Sequence, residues 1–255
     1  MMEPSDWLIW GGLTVGAIFG IVAQRFRFCM VAGISNWYLI RDYRQIFAFS
    51  AALFVAIGGT QLMEFTDTVD IAASSYRNSQ FDWLGVIIGG VIFGIGGTLA
   101  GGCATRTIIK TAEGSLQGLI ALLSFMAFAA MTQFMFPLMN MRLAITNATD
   151  ITLDTDAGLA SVLGLPAWLP MVAALLVMVG IIYVFRKRGI NWPMVVGGAI
   201  CGAMVLAGWY TTGVLAEDPF ASSESLSAIT VSGPLARMGY LVMTGNVPAF
   251  SFTIA

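Results

Sequence analysis

The chain has no histidine, and only 10 % of its 255 residues are charged. The first absence removes Ser-His-Asp hydrolysis, Cys-His proteolysis, His-ligated zinc and haem with a histidine axial ligand. The second sets the protein far from the roughly 25 % charge of soluble domains. Cysteine is scarce as well: Cys29, Cys103 and Cys201 lie 74 and 98 residues apart with no C-x-x-C pair. That spacing carries no zinc or thioredoxin-type signature, and an odd count leaves free thiols, so three are expected. There is no Walker A sequence, which leaves ATP without a binding signal. No basic patch suited to nucleic acid accompanies the net charge of −2. Neither a metal nor a cofactor is expected.

Long apolar runs are plentiful: 58 % of the residues are hydrophobic. A bilayer crossing takes about 20 residues, and runs of that length fall near 7–24, 45–64, 83–102, 115–136, 168–185 and 192–213. The first is preceded by Glu3 and Asp6 and ends in Gln24-Arg25-Phe26-Arg27, which reads as a retained span and not a signal peptide. Charge fixes an expected orientation. Segments 25–44, 103–114 and 186–191 hold nine of the twelve basic residues and two of the fourteen acids. That side is expected to be cytoplasmic, with the N-terminus outside.

Two short motifs suggest an internal repeat. Gly16-Ala17-Ile18-Phe19-Gly20 returns as Gly198-Ala199-Ile200-Cys201-Gly202, on helices expected to run in opposite directions. That is the pattern of an inverted-topology transporter, whose solute site lies at the repeat interface. The expected fold is therefore an all-α polytopic membrane protein, an inverted-repeat transporter-like bundle with broken or re-entrant helices at the cysteine motifs. Its first half is expected at 1–136 and its second at 166–255, with an exposed outer loop at 137–165. Because Gly20 precedes Cys103 by 83 residues, a matching turn belongs near position 285, past the last residue at 255. The second half is thus expected to be incomplete, as part of a longer protein or completed by a partner.

Cysteine and glycine meet at the residues that could carry chemistry. Eight glycines lie between Trp83 and Cys103, ending in Gly101-Gly102-Cys103. Such density serves either close helix packing or a chain break inside protein. A helix starting after Cys103 would aim its positive end at the thiol, with Arg106 and Lys110 adding charge one and two turns on. Cys29 follows Arg25-Phe26-Arg27-Phe28, where Arg27 is either an anion-holding group beside the thiol or a positive-inside anchor. The stretch 25–44 is too apolar for an ordinary loop and suits a re-entrant or interfacial helix. Cys201, mid-span, is either a small buried hydrophobe or a third station on one path. Glu64 and Asp82 sit at membrane edges, as anchors or proton relays. Asp154-Thr155-Asp156 lacks the rest of a calcium loop and reads as a solvated face.

Phe26-Arg27-Phe28-Cys29 with downstream Arg41-Asp42, and Gly101-Gly102-Cys103 followed by Glu113-Gly114-Ser115, resemble the YeeE/YedE sulfur-transport family over most of residues 10–135. A looser likeness continues through Gly197-Gly198 and Ser232-Gly233-Pro234. The resemblance implies uptake of thiosulfate or a related sulfur oxyanion across a bacterial or archaeal inner membrane. It implies a path contacted by Cys29, Cys103 and Cys201 and supported by Arg27, Gly101, Gly102, Arg106 and Lys110. A cytosolic sulfur-carrier protein is an implied partner, beside membrane lipid. Two features depart from the family. Its second glycine-rich cysteine motif does not appear before position 255, and Ala104-Thr105-Arg106 also suits a selenium-linked branch. A selenium or persulfide species on the same scaffold, a membrane sulfurtransferase using Cys103, and a structural subunit remain the competing readings.

Overall fold

A computed structural model describes residues 4–66, 68–69, 80–152, 192–215 and 230–245. The expected span at 168–185, the basic segment 186–191, Asp154-Thr155-Asp156 and the end of the chain lie outside the described residues. The described part is helical apart from two three-residue strands, and five stretches are long and apolar enough to cross a membrane: Trp10–Ile40, Arg44–Phe65, Trp83–Ala112, Leu116–Phe134 and Trp192–Val214. The chain is an all-α polytopic membrane protein. Large apolar side chains stay on the surface, Val86 and Ile92 at 64 % exposure and Leu99 at 80 %, because lipid removes the penalty that water would impose.

The chain divides into two compact units, Met1–Ser79 with Leu153–Ile229 and Gln80–Thr152 with Thr230–Ala255. In the first, α1 (Pro4–Arg25), α2 (Met30–Ile40) and α3 (Arg44–Phe65) are followed by α8 (Trp192–Tyr210), which ends in a π-helical turn at Thr211–Leu215. The contact of α3 with α8 dominates this unit. Its cause is visible in the side chains, or their absence. A Cβ on Gly198 would strike the carbonyl of Ala48, and one on Gly202 the carbonyl of Ala52. Two small residues a turn apart on each helix thus let the backbones touch, the arrangement by which membrane helices gain packing energy without a hydrophobic driving force. Gly16 and Gly20 are used differently: no described atom stands within 4 Å of a Cβ on either.

In the second unit, β1 (Gln80–Asp82) leads into α4 (Trp83–Leu99), α5 (Ala104–Ala112), α6 (Leu116–Phe134), α7 (Leu138–Thr149), β2 (Asp150–Thr152) and α9 (Ser232–Thr244). The strands pair antiparallel, Phe81 opposite Ile151. The first part of 137–165, read from its polar residues as a loop, is the helix α7. Asp82 caps α4: one carboxylate oxygen accepts from the Gly85 amide at 2.8 Å, the other from the Thr146 hydroxyl at 2.8 Å. Such a cap satisfies an orphan N–H of the first turn and gives this membrane-edge acid a structural role. On the far side, Gly239 of α9 lies against the carbonyl of Met126 on α6.

Candidate functional site

Two corners of the backbone carry a cysteine each, and they are built alike. Where α4 ends, the Gly102 amide donates to the Gly97 carbonyl at 2.9 Å and the Gly101 amide to Thr98 at 3.2 Å. Gly101 is left-handed, φ +68°. This is a Schellman motif, which closes the last turn on its own carbonyls. Where α1 ends, Phe28 donates to Ala23 at 2.9 Å and Arg27 to Gln24 at 3.3 Å, with Arg27 left-handed at φ +50°. In each corner the next residue is the cysteine, in extended conformation, and it is the N-cap of the following short helix: Cys29 for α2, Cys103 for α5. Neither sulfur makes a side-chain cap bond. Each thiol therefore sits beside the partially positive start of a helix.

The Cys103 corner gathers four of the residues expected to support it. Gly102 lies against the stem of Arg106, whose Cβ and Cγ would stand 3.0 and 2.9 Å from a Cβ there. The Lys110 ammonium donates to the Gly101 carbonyl at 2.7 Å. Thr107, buried, donates its hydroxyl back to the Cys103 carbonyl at 3.1 Å. Cys103, half-buried, lines a cavity of about 720 Å³ lying wholly within this unit. Its lining includes Gly89, Gly96 and Gly97 of α4 and Phe125, Phe128, Thr132 and Gln133 of α6. No described atom comes within 4 Å of a Cβ on Gly89 or Gly96. These glycines make room; they do not make helix contacts.

The Cys29 corner is closed instead. Cys29 is 4 % exposed. Phe28 stacks on Phe49 of α3 with ring centroids 5.6 Å apart, and the Phe26 ring covers Gly197 of α8. Arg27 is exposed, and its carbonyl accepts from the Gln45 amide at 3.4 Å. Asn36 of α2 in turn donates to Gln45 Oε1 at 3.1 Å. The apolar stretch after Cys29 does form a helix, α2, with Tyr38, Leu39 and Ile40 at its exposed end. Cys201 is 2 % exposed and stands between Gly198 and Gly202, in the seam of α8 with α3. Cys29 and Cys201 belong to the first unit and Cys103 to the second. None of the three is in a disulfide.

Thr107, Gln45 and Asn36 were not anticipated. Thr107 has a counterpart in register: it and Gly33, both buried, each donate an amide to the cysteine carbonyl four residues earlier at 3.0 Å.

The sequence pattern of the Sulphur transport family matches residues 25–255, both cysteine corners included. The chain belongs to this family. Among its relatives is the thiosulfate transporter TsuA of Escherichia coli (strain K12), 34 % identical over 175 residues, 67 % of this chain and 46 % of that protein. The thiosulfate transporter TsuA of Spirochaeta thermophila (strain ATCC 700085 / DSM 6578 / Z-1203) is 28 % identical over 225 residues, 82 % of this chain and 64 % of that protein. The chain thus spans about half to two thirds of the length of these relatives.

Proposed function

We propose that this protein takes up thiosulfate, or a closely related sulfur oxyanion, with the Cys103 cavity as a station on the route. One observation carries the reading: a half-buried thiol at a helix N-terminus lines a cavity whose wall is cleared by glycine. The positive helix end favours an anion, while the S–H group is only a weak donor toward a soft terminal sulfur. Weak, stepwise binding is what conduction needs, since a solute held firmly does not leave. The two TsuA relatives and the family membership support thiosulfate as the solute.

The wider reading places Cys29 and Cys201 on the same route, in halves related by an inverted repeat, with re-entrant helices at the cysteine corners. Arg27, Gly101, Gly102, Arg106 and Lys110 support it. The protein sits in the cytoplasmic membrane of a bacterium or archaeon with its N-terminus outside, since the basic segments gather on one side. A cytosolic sulfur carrier receives the product, and the protein acts as a conduit and not an enzyme.

The test is uptake of sulfur-35 thiosulfate by cells lacking their own importers, with unlabelled sulfate, sulfite and selenite as competitors. Saturable uptake, displaced by excess unlabelled thiosulfate and by none of these three, is expected. No uptake by correctly inserted protein, or displacement by selenite in preference, overturns the assignment.

A further inference from the structure

Both cysteine corners leave the carbonyl of their left-handed residue pointing away from the helix it ends, and in both a side chain from a later element takes it up. At Gly101 the donor is the Lys110 ammonium, 2.7 Å away. At Arg27 the donor is the Gln45 amide, 3.4 Å away and itself held by Asn36. Asn36 and Lys110 occupy the same place, each seven residues after its cysteine. One corner is thus locked by a cation and the other by a neutral pair.

Lys110 is also fixed along its stem. A Cβ on Gly118 of α6 would meet the Lys110 Cβ at 3.0 Å, so the side chain leaves α5 where that helix presses on α6. From there it returns to the corner nine residues behind it.

We propose that Lys110 is a positioning residue for Cys103: its ammonium holds the Gly101 carbonyl, and so the corner that presents the thiol, and is not a ligand of the anion. The inference rests on the reading of the Cys103 cavity as a solute station. Its content is that the hydrogen bond matters and the charge does not, in keeping with the other corner, where a neutral amide takes up the equivalent carbonyl. Positive character for the solute then comes from the start of α5 and from Arg106.

The variants are Lys110→Met, which keeps the stem and removes the donor, and Lys110→Gln, which keeps a donor and removes the charge. Both are compared with the natural protein at equal abundance in the membrane. Two quantities are read: the kinetics of thiosulfate uptake, and the rate at which N-ethylmaleimide alkylates Cys103, located by peptide mass. That reagent is neutral, so loss of the ammonium does not alter its attraction to the site, and rates are taken over a pH series so that a change in thiolate fraction is told from a change in access.

Lys110→Met is expected to change the alkylation rate several-fold and to lower the maximal uptake rate with little change in half-saturation. Lys110→Gln is expected to restore the alkylation rate and much of the uptake. A raised half-saturation concentration in both variants, with natural alkylation, shows the ammonium acting on the anion and overturns the proposal. Natural behaviour of Lys110→Met in both assays overturns it too. If Lys110→Met fails to reach the membrane, Lys110→Gln decides alone: natural alkylation and half-saturation uphold the lock, and a raised half-saturation with natural alkylation refutes it. Should the natural protein carry no thiosulfate, the transport reading falls and the alkylation comparison still decides this one.

Discussion

The glycines of α8, in the first unit, and of α4, in the second, do opposite things. In the first, Gly197, Gly198 and Gly202 are spent on contact: a phenylalanine ring and two backbone carbonyls occupy the space where their side chains would be. In the second, Gly89 and Gly96 face open space and border a cavity. The thiols follow suit, Cys29 and Cys201 sealed by packing and Cys103 facing the cavity. Yet the corners at Cys29 and Cys103 share one backbone design, down to the Schellman bonds and the N-cap position of the cysteine. The lesson is that one local motif forms a packed joint or the edge of a cavity according to what the neighbouring helices place against it.

The difference can be broken most forcefully at the glycines. Gly198→Leu drives a side chain into the Ala48 carbonyl and should cost at least about 3 kcal/mol, seen as failure to accumulate in the membrane. Gly16→Leu, at the matching position of the first copy of the motif, should accumulate normally. Gly96→Leu should be the reverse of Gly198→Leu: a thermal midpoint close to that of the natural protein, with uptake lowered about tenfold or more because the cavity is filled. If Gly96→Leu instead unfolds the protein, the glycines of α4 are contacts after all.

Smaller effects separate the thiols and the corners. In the natural protein N-ethylmaleimide should modify Cys103 about tenfold faster than Cys29 or Cys201, because burial denies the other two access. Equal rates would erase the contrast between sealed and open corners. The left-handed positions give the smallest and most symmetric pair. Gly101→Ala should destabilise by about 1 kcal/mol, since a Cβ is disfavoured at φ +68°. Arg27→Gly should stabilise by up to about 1 kcal/mol for the same reason. Denaturation midpoints of the two variants in one detergent check both signs.

Much of this frame was legible from residue order. Five expected spans coincide with the apolar helices, because a run of about 20 apolar residues has few alternatives in a bilayer. The break at Gly101-Gly102 was legible too, since glycine announces a left-handed residue. At Arg27 the end of the first span was legible but its left-handed turn was not: an arginine at φ +50° is held there by the Schellman bonds and by Gln45, a residue 18 positions on. Nor did spacing distinguish contact glycines from space-making ones. Gly16-x-x-x-Gly20 and Gly198-x-x-x-Gly202 look alike in sequence, and only the presence of Ala48 and Ala52 opposite the second pair tells them apart. Lys110 was legible as a cation near the thiol, but its 2.7 Å bond to Gly101 is a matter of tertiary geometry that residue order does not announce.

The central claim, that Cys103 is a point of contact for the transported sulfur anion, is tested most directly by sulfur-35 thiosulfate uptake in cells lacking other importers. The comparison is between the natural protein and Cys103→Ala at equal membrane abundance and equal thermal midpoint. Uptake by the natural protein and its near-complete loss in Cys103→Ala is the predicted result. Undiminished uptake by Cys103→Ala would contradict the account, leaving the cavity beside that thiol without a role in transport.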